Sequence, residues 1–132
     1  MWEKDIDINQ VREIRTRTLV YFGCGEIEKI ENIARDLKSK GIDKLIVMSG
    51  RNAYKATGAW DYVEKALKNN GIGYINYDKV TPNPTTKAID EATAMAREFG
   101  AKAVITIGGG SPTDAGKSVA ILLKNDGKNA YD

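Results

Sequence analysis

The residues best suited to chemistry in this chain of 132 residues lie together, between Ala103 and Leu123. The β-branched run from Val104 to Ile107 is short enough for a strand buried on both faces. Gly108, Gly109 and Gly110 follow, and Ser111, Pro112, Thr113 and Asp114 then read as a helix start. Ser111 stands where an N-cap belongs, Pro112 suits the first helical position, and Asp114 takes the place of a capping-box acid. Ala115, Val119, Leu122 and Leu123 give the helix an apolar face. A buried strand, a turn without side chains and a helix N-terminus together make an anion site. Backbone N–H groups point out of the turn, the helix dipole favours negative charge, and glycine lets phosphate oxygens approach. Lys117, three residues after Asp114 on the same side of the helix, adds a cation.

Two standard phosphate patterns fail here. Gly116, Lys117 and Ser118 could end a P-loop, but its first glycine would fall on Ser111. The dinucleotide fingerprint Gly-x-Gly-x-x-Gly needs a third glycine where Thr113 stands. A third pattern, Gly-Gly-Gly-Ser-x-x-Asp-x-x-Lys over residues 108–117, resembles the cofactor signature of the iron-containing (group III) alcohol dehydrogenase family. Phe22, Gly23 and Gly25 are similar to that family's Phe-Gly-x-Gly, and Pro82, Asn83 and Pro84 to its Pro-Asn-Pro segment.

The resemblance implies that Gly108, Gly109, Gly110 and Ser111 hold the pyrophosphate of a nicotinamide dinucleotide. Asp114 and Lys117 would support that turn, Asn83 would lie near the cofactor, and Ser49, Gly50 and Arg51 would face the adenosine ribose. Many dinucleotide sites end a strand there with an acid that accepts from the ribose 2′-OH. Here Ser49 and Gly50 take its place and Arg51 and Lys55 follow, which favours NADP, with NAD also open. The family's complete members are longer, with a helical second domain that binds iron or zinc through one Asp and three His. A chain with no histidine cannot supply those ligands. Residues 1–132 are therefore read as a single N-terminal NAD(P)-binding domain, truncated and inactive alone. The implied reaction of the full enzyme is reversible hydride transfer between an alcohol or aldehyde and NAD(P). A homodimer is left open.

The elements that must position these residues alternate. Strands are expected at 18–22, 44–48, 73–77 and 103–107, with an edge strand at 11–17. Helices are expected at 26–40, 51–57, 59–69, 85–99 and from Ser111 onward, with the Pro82 to Pro84 turn between. Thr85 can cap the helix after that turn. Alternation predicts an α/β fold: a Rossmann-like parallel sheet with helices on both faces, an open three-layer αβα domain. Gly23, Cys24 and Gly25 read as a tight turn, with Cys24 a small buried residue.

Composition limits the rest. A net charge of +2 calls for neither nucleic acid nor an anionic membrane, and one cysteine fits a reducing cytoplasm. The absence of histidine removes Ser-His, Cys-His and His-metal arrangements from this chain. Two other readings stand beside the dehydrogenase one. The first is a stand-alone nucleotide-binding module. The second is a P-loop-like triphosphatase, which would need an acid after Val47 and Met48 that Ser49 does not supply.

Overall fold

The computed structural model describes residues 17–132, so the edge strand expected at 11–17 lies outside the described residues apart from Arg17. A 3-10 turn at Glu26–Lys29 leads into α1 (Ile30–Ser39), β1 (Lys44–Ser49), α2 (Ala53–Ala56) and α3 (Ala59–Asn69). Then follow β2 (Gly73–Tyr77), α4 (Thr86–Phe99), β3 (Ala103–Ile107) and α5 (Gly110–Leu123). The strands are parallel and lie in the order β2-β1-β3.

The central strand shows why the sequence builds three layers. Side chains alternate along a strand, so an unbroken apolar run serves two cores. Leu45 and Val47 enter one core with Ala34 of α1 and Trp60, Val63 and Leu67 of α3. Ile46 and Met48 enter the other with Ala92 and Ala96 of α4 and Ala115 and Val119 of α5. This is the Rossmann-like parallel sheet with helices on both faces that the alternation predicts. Local signals set several bounds. Thr85 caps α4, its hydroxyl accepting from the Ala88 N–H at 3.2 Å.

Four local expectations are corrected. Residues 18–22 form no strand: Leu19 is 74% exposed and Phe22 98%, because β-propensity alone does not make a strand where no strand of the described sheet pairs with it. The helix expected from Glu26 opens as a 3-10 turn and becomes α-helical only at Ile30. Cys24 is exposed, since it sits at the tip of the turn between Gly23 and Gly25. Finally, β3 is only half-buried along its length. It is one of the two outer strands of the described sheet, so its apolar run has a neighbour on one side only.

An aromatic ladder braces the α3 side. Trp60 meets Tyr54 and Tyr74 edge-on, with ring centroids 5.7 and 5.4 Å away. The Tyr74 hydroxyl donates to Glu64 Oε1 at 2.6 Å. That bond, with partial burial, pushes the Tyr74 pKa from 10.0 to about 12. The folded phenol thus holds its proton more tightly than the unfolded one. The stabilisation is complete below about pH 10 and is lost as pH rises through 12. In an alkaline absorbance titration Tyr74 should ionise late. Tyr74→Phe should remove that late step and leave the earlier ones, and loss of a step near pH 10 in its place would mean that the bond to Glu64 is not formed in solution.

Candidate functional site

The chain passes from β1 to β2 on one side and then crosses the centre to β3, so strand order reverses between β1 and β3. Ligands of open parallel sheets settle at such a point, beyond the C-terminal strand ends. Ser49 closes β1 opposite Ile107, which closes β3. Gly50 and Arg51 therefore leave the sheet beside Gly108 and Gly109. The loop after β2 is latched to the same end, where the Val80 N–H donates to the Ser49 carbonyl at 3.2 Å. Asn83 lies three residues further along that loop, exposed and with a φ of 58°. Within the chain's reach of about 3.5 Å per residue it stays at this end of the sheet. The fold thus gathers Ser49, Gly50, Arg51, Asn83 and the three glycines at one rim.

The glycines serve different purposes. Gly108 has a φ of 137°, and a Cβ there would stand 2.9 Å from Pro112 Cγ, so the turn's own geometry demands glycine. Gly109 is different. Its φ of −83° and ψ of −151° suit any residue, and a Cβ would meet nothing within 4 Å. Gly110 opens α5 and also faces open space. All three are exposed. No atom of the described residues stands where a Cβ at 109 or 110 would lie, so the backbone of the turn is open to an approaching ligand.

The helix start differs from the capping pattern. Gly109, not Ser111, is the N-cap of α5, its backbone is extended, and no side chain caps it. Ser111 is the second helical residue and Pro112 the third. The first N–H groups of a helix lack intrahelical acceptors, and Pro112 removes one, so those of Gly109, Gly110 and Ser111 remain to face a ligand. Asp114 is therefore no capping acid. It sits on the exposed face of α5, about 6 Å of helical rise beyond Gly110, and Lys117 shares that face about 10.5 Å beyond it. The described ion pairs do not join the two.

Gly116 also departs from the loop role that its spacing suggests. Lying inside α5 and buried, it cannot belong to a phosphate loop. A Cβ on Gly116 would fall 2.1 Å from Thr106 Cγ2, so this residue lets α5 lie down on β3. That removes the triphosphatase reading of Gly116, Lys117 and Ser118. The sequence signal for it is faint: a lone glycine within the helical span, six residues beyond Gly110.

Ser49 is only 1% exposed, so it borders the rim mainly through its backbone and small size, while Arg51 is an exposed cation next to it. An exposed backbone cradle with a cation at its edge fits a dinucleotide. Iron does not fit these residues. The chain has no histidine, and among the described residues no group of three or more His, Cys, Asp or Glu could hold a metal ion. No helix of the described residues is long and apolar enough to cross a membrane.

Comparison with known proteins gives a consistent result. The model of the family described as iron-containing alcohol dehydrogenase matches residues 18–132. The long-chain primary alcohol dehydrogenase AdhA of Thermoanaerobacter ethanolicus is 55% identical over 132 residues, all of this chain and 33% of that protein. An NADPH-dependent butanol dehydrogenase of Clostridium saccharobutylicum is 30% identical over 113 residues, 86% of this chain and 27% of the relative. The crystal structure of NADH-dependent butanol dehydrogenase A from Thermotoga maritima superposes with a TM-score of 0.72 at 33% identity, covering 84% of this chain and 27% of that one. The chain thus spans a third or less of the length of each.

Proposed function

The chain belongs to the iron-containing alcohol dehydrogenase family, and from that premise we propose that it forms the NAD(P)-binding N-terminal domain of a longer alcohol dehydrogenase. One observation carries the proposal: the exposed turn of Gly108, Gly109 and Gly110 opens a helix at the point where strand order reverses. Backbone N–H groups of Gly109, Gly110 and Ser111 bind the pyrophosphate, assisted by the dipole of α5. Ser49 and Gly50 leave room for the adenosine ribose, Asn83 borders the cleft, and Lys117 adds a distant positive charge with Asp114 beside it. The nicotinamide supplies hydride acceptance from an alcohol, or hydride donation to an aldehyde, when bound. Metal ligands and the substrate pocket belong to the remaining length found in the relatives. On that reading, this chain given a divalent metal, NADP and alcohols shows no turnover.

We further propose that NADP is preferred over NAD. No acid closes β1, and exposed Arg51 can meet the 2′-phosphate. The relatives' names include both cofactors at similar identity, so the preference rests on these residues. A charge-assisted contact of this kind contributes about 1.5–3 kcal/mol, roughly one to two orders of magnitude in affinity. Calorimetry with 2′-phospho-ADP-ribose and ADP-ribose should show the phosphorylated ligand ahead, by a margin that shrinks with salt. Arg51→Ala should erase most of the margin. A chain that prefers ADP-ribose refutes the NADP assignment, and one that binds neither ligand refutes the domain assignment.

A further inference from the structure

The Thr113 hydroxyl donates to the carbonyl of Gly109 at 2.9 Å, whereas the backbone N–H of Thr113 reaches the same oxygen only at 3.4 Å. The oxygen belongs to the peptide that joins Gly109 to Gly110, the N-cap peptide of α5. In a trans peptide the C=O and N–H point in opposite directions. Holding the carbonyl inward along α5 therefore aims the Gly110 N–H outward, to the rim where an anion would sit. This peptide needs holding more than most. Turning it over would carry Gly110 to a positive φ, which glycine alone accepts readily, and no Cβ on either side resists the rotation. Thr93 and Ser118 make similar back-bonds inside α4 and α5, but to carbonyls of peptides already locked by helix on both sides.

We propose that Thr113 is a positioning residue for pyrophosphate. Its hydroxyl locks the Gly109–Gly110 peptide in the orientation that presents the Gly110 N–H to the ligand. The proposal rests on the dinucleotide reading above and adds to it a side chain that never touches the ligand. Its stem stands on the second half of the first helical turn, and it acts through a main-chain oxygen.

The test uses the full chain, with ADP-ribose as the probe in calorimetry and in amide NMR. Thr113→Val keeps the shape and removes the hydroxyl, and Thr113→Ser keeps the hydroxyl. Thr113→Val should weaken ADP-ribose about tenfold, the equivalent of one charge-assisted hydrogen bond. The shift of the Gly110 amide proton on adding ADP-ribose should shrink with it. Thr113→Ser should stay within about twofold of the starting chain and keep the shift. Thr113→Ala serves as a second hydroxyl-free variant should valine disturb the helix start, and it should behave as valine does. If the unaltered chain binds ADP-ribose and both hydroxyl-free variants bind it equally well, the positioning role is wrong and the dinucleotide reading stands. If Thr113→Ser loses as much as Thr113→Val, the hydroxyl is not the agent and the role is again wrong. If the unaltered chain does not bind ADP-ribose, both readings fall together.

Discussion

Gly109→Val should abolish detectable binding of ADP-ribose and leave the folded structure intact. The backbone at Gly109 is extended, with φ −83° and ψ −151°, a region where valine is at ease. A Cβ there would meet nothing within 4 Å, so the protein itself pushes back on nothing. The branched side chain would instead fill the space through which phosphate oxygens reach the turn. Losing one or two charge-assisted contacts at about 1.5–3 kcal/mol each lowers affinity by one to several orders of magnitude. Calorimetry and a urea transition on the same preparation separate the two effects. Full affinity in a folded Gly109→Val chain would move the anion site away from this turn. Gly108→Ala is the useful contrast. With φ at 137° and Pro112 at 2.9 Å, even one methyl strains the turn, so binding and stability should fall together.

Gly116→Ala should destabilise the fold without touching the rim. The added methyl carbon would lie 2.1 Å from Thr106 Cγ2, so α5 must lift from β3 or the strand must yield. Overpacking of this sort costs about 1–3 kcal/mol, and the roughly 1 kcal/mol that alanine gains in a helix offsets only part of a large clash. The urea midpoint should drop with an unchanged slope. The informative variant is the pair. Thr106→Ser removes the clashing methyl, after which the nearest atoms are Val104 Cγ1 at 3.4 Å and Thr106 Cβ at 3.6 Å. Gly116→Ala with Thr106→Ser should thus recover most of the loss, a favourable coupling between contacting positions. A Gly116→Ala chain as stable as the original, or a pair no better than the single variant, would mean that α5 does not press on β3 at this glycine.

The elements that local chemistry defines were legible in the residues alone. The apolar period and flanking glycines set α3 at Ala59–Asn69, the run after Gly71 set β2, and Thr85 announced the start of α4. Strand and helix alternation gave the parallel, three-layer fold, since a strand apolar on both faces must be covered on both. The glycine turn was legible as well, because a run of three glycines between a strand and a helix has few uses. What the residues could not show is what each of them meets. Leu19 to Phe22 have the composition of a strand and are not one, for no neighbour pairs with them in the described sheet. Ser111 has the chemistry of a cap, yet the helix begins earlier, at a glycine, and leaves it in the first turn. Gly116, Lys117 and Ser118 have the residue types that end a phosphate loop, yet Gly116 packs on Thr106. Thr113 reads only as part of the helix start, and the bond from its hydroxyl to the Gly109 carbonyl exists only in the folded turn. Spacing along the chain determines which residues share a turn of helix or a face of strand. Which glycine is there for the fold and which for a ligand depends on atoms from other elements, and only packing α5 against β3 decides that.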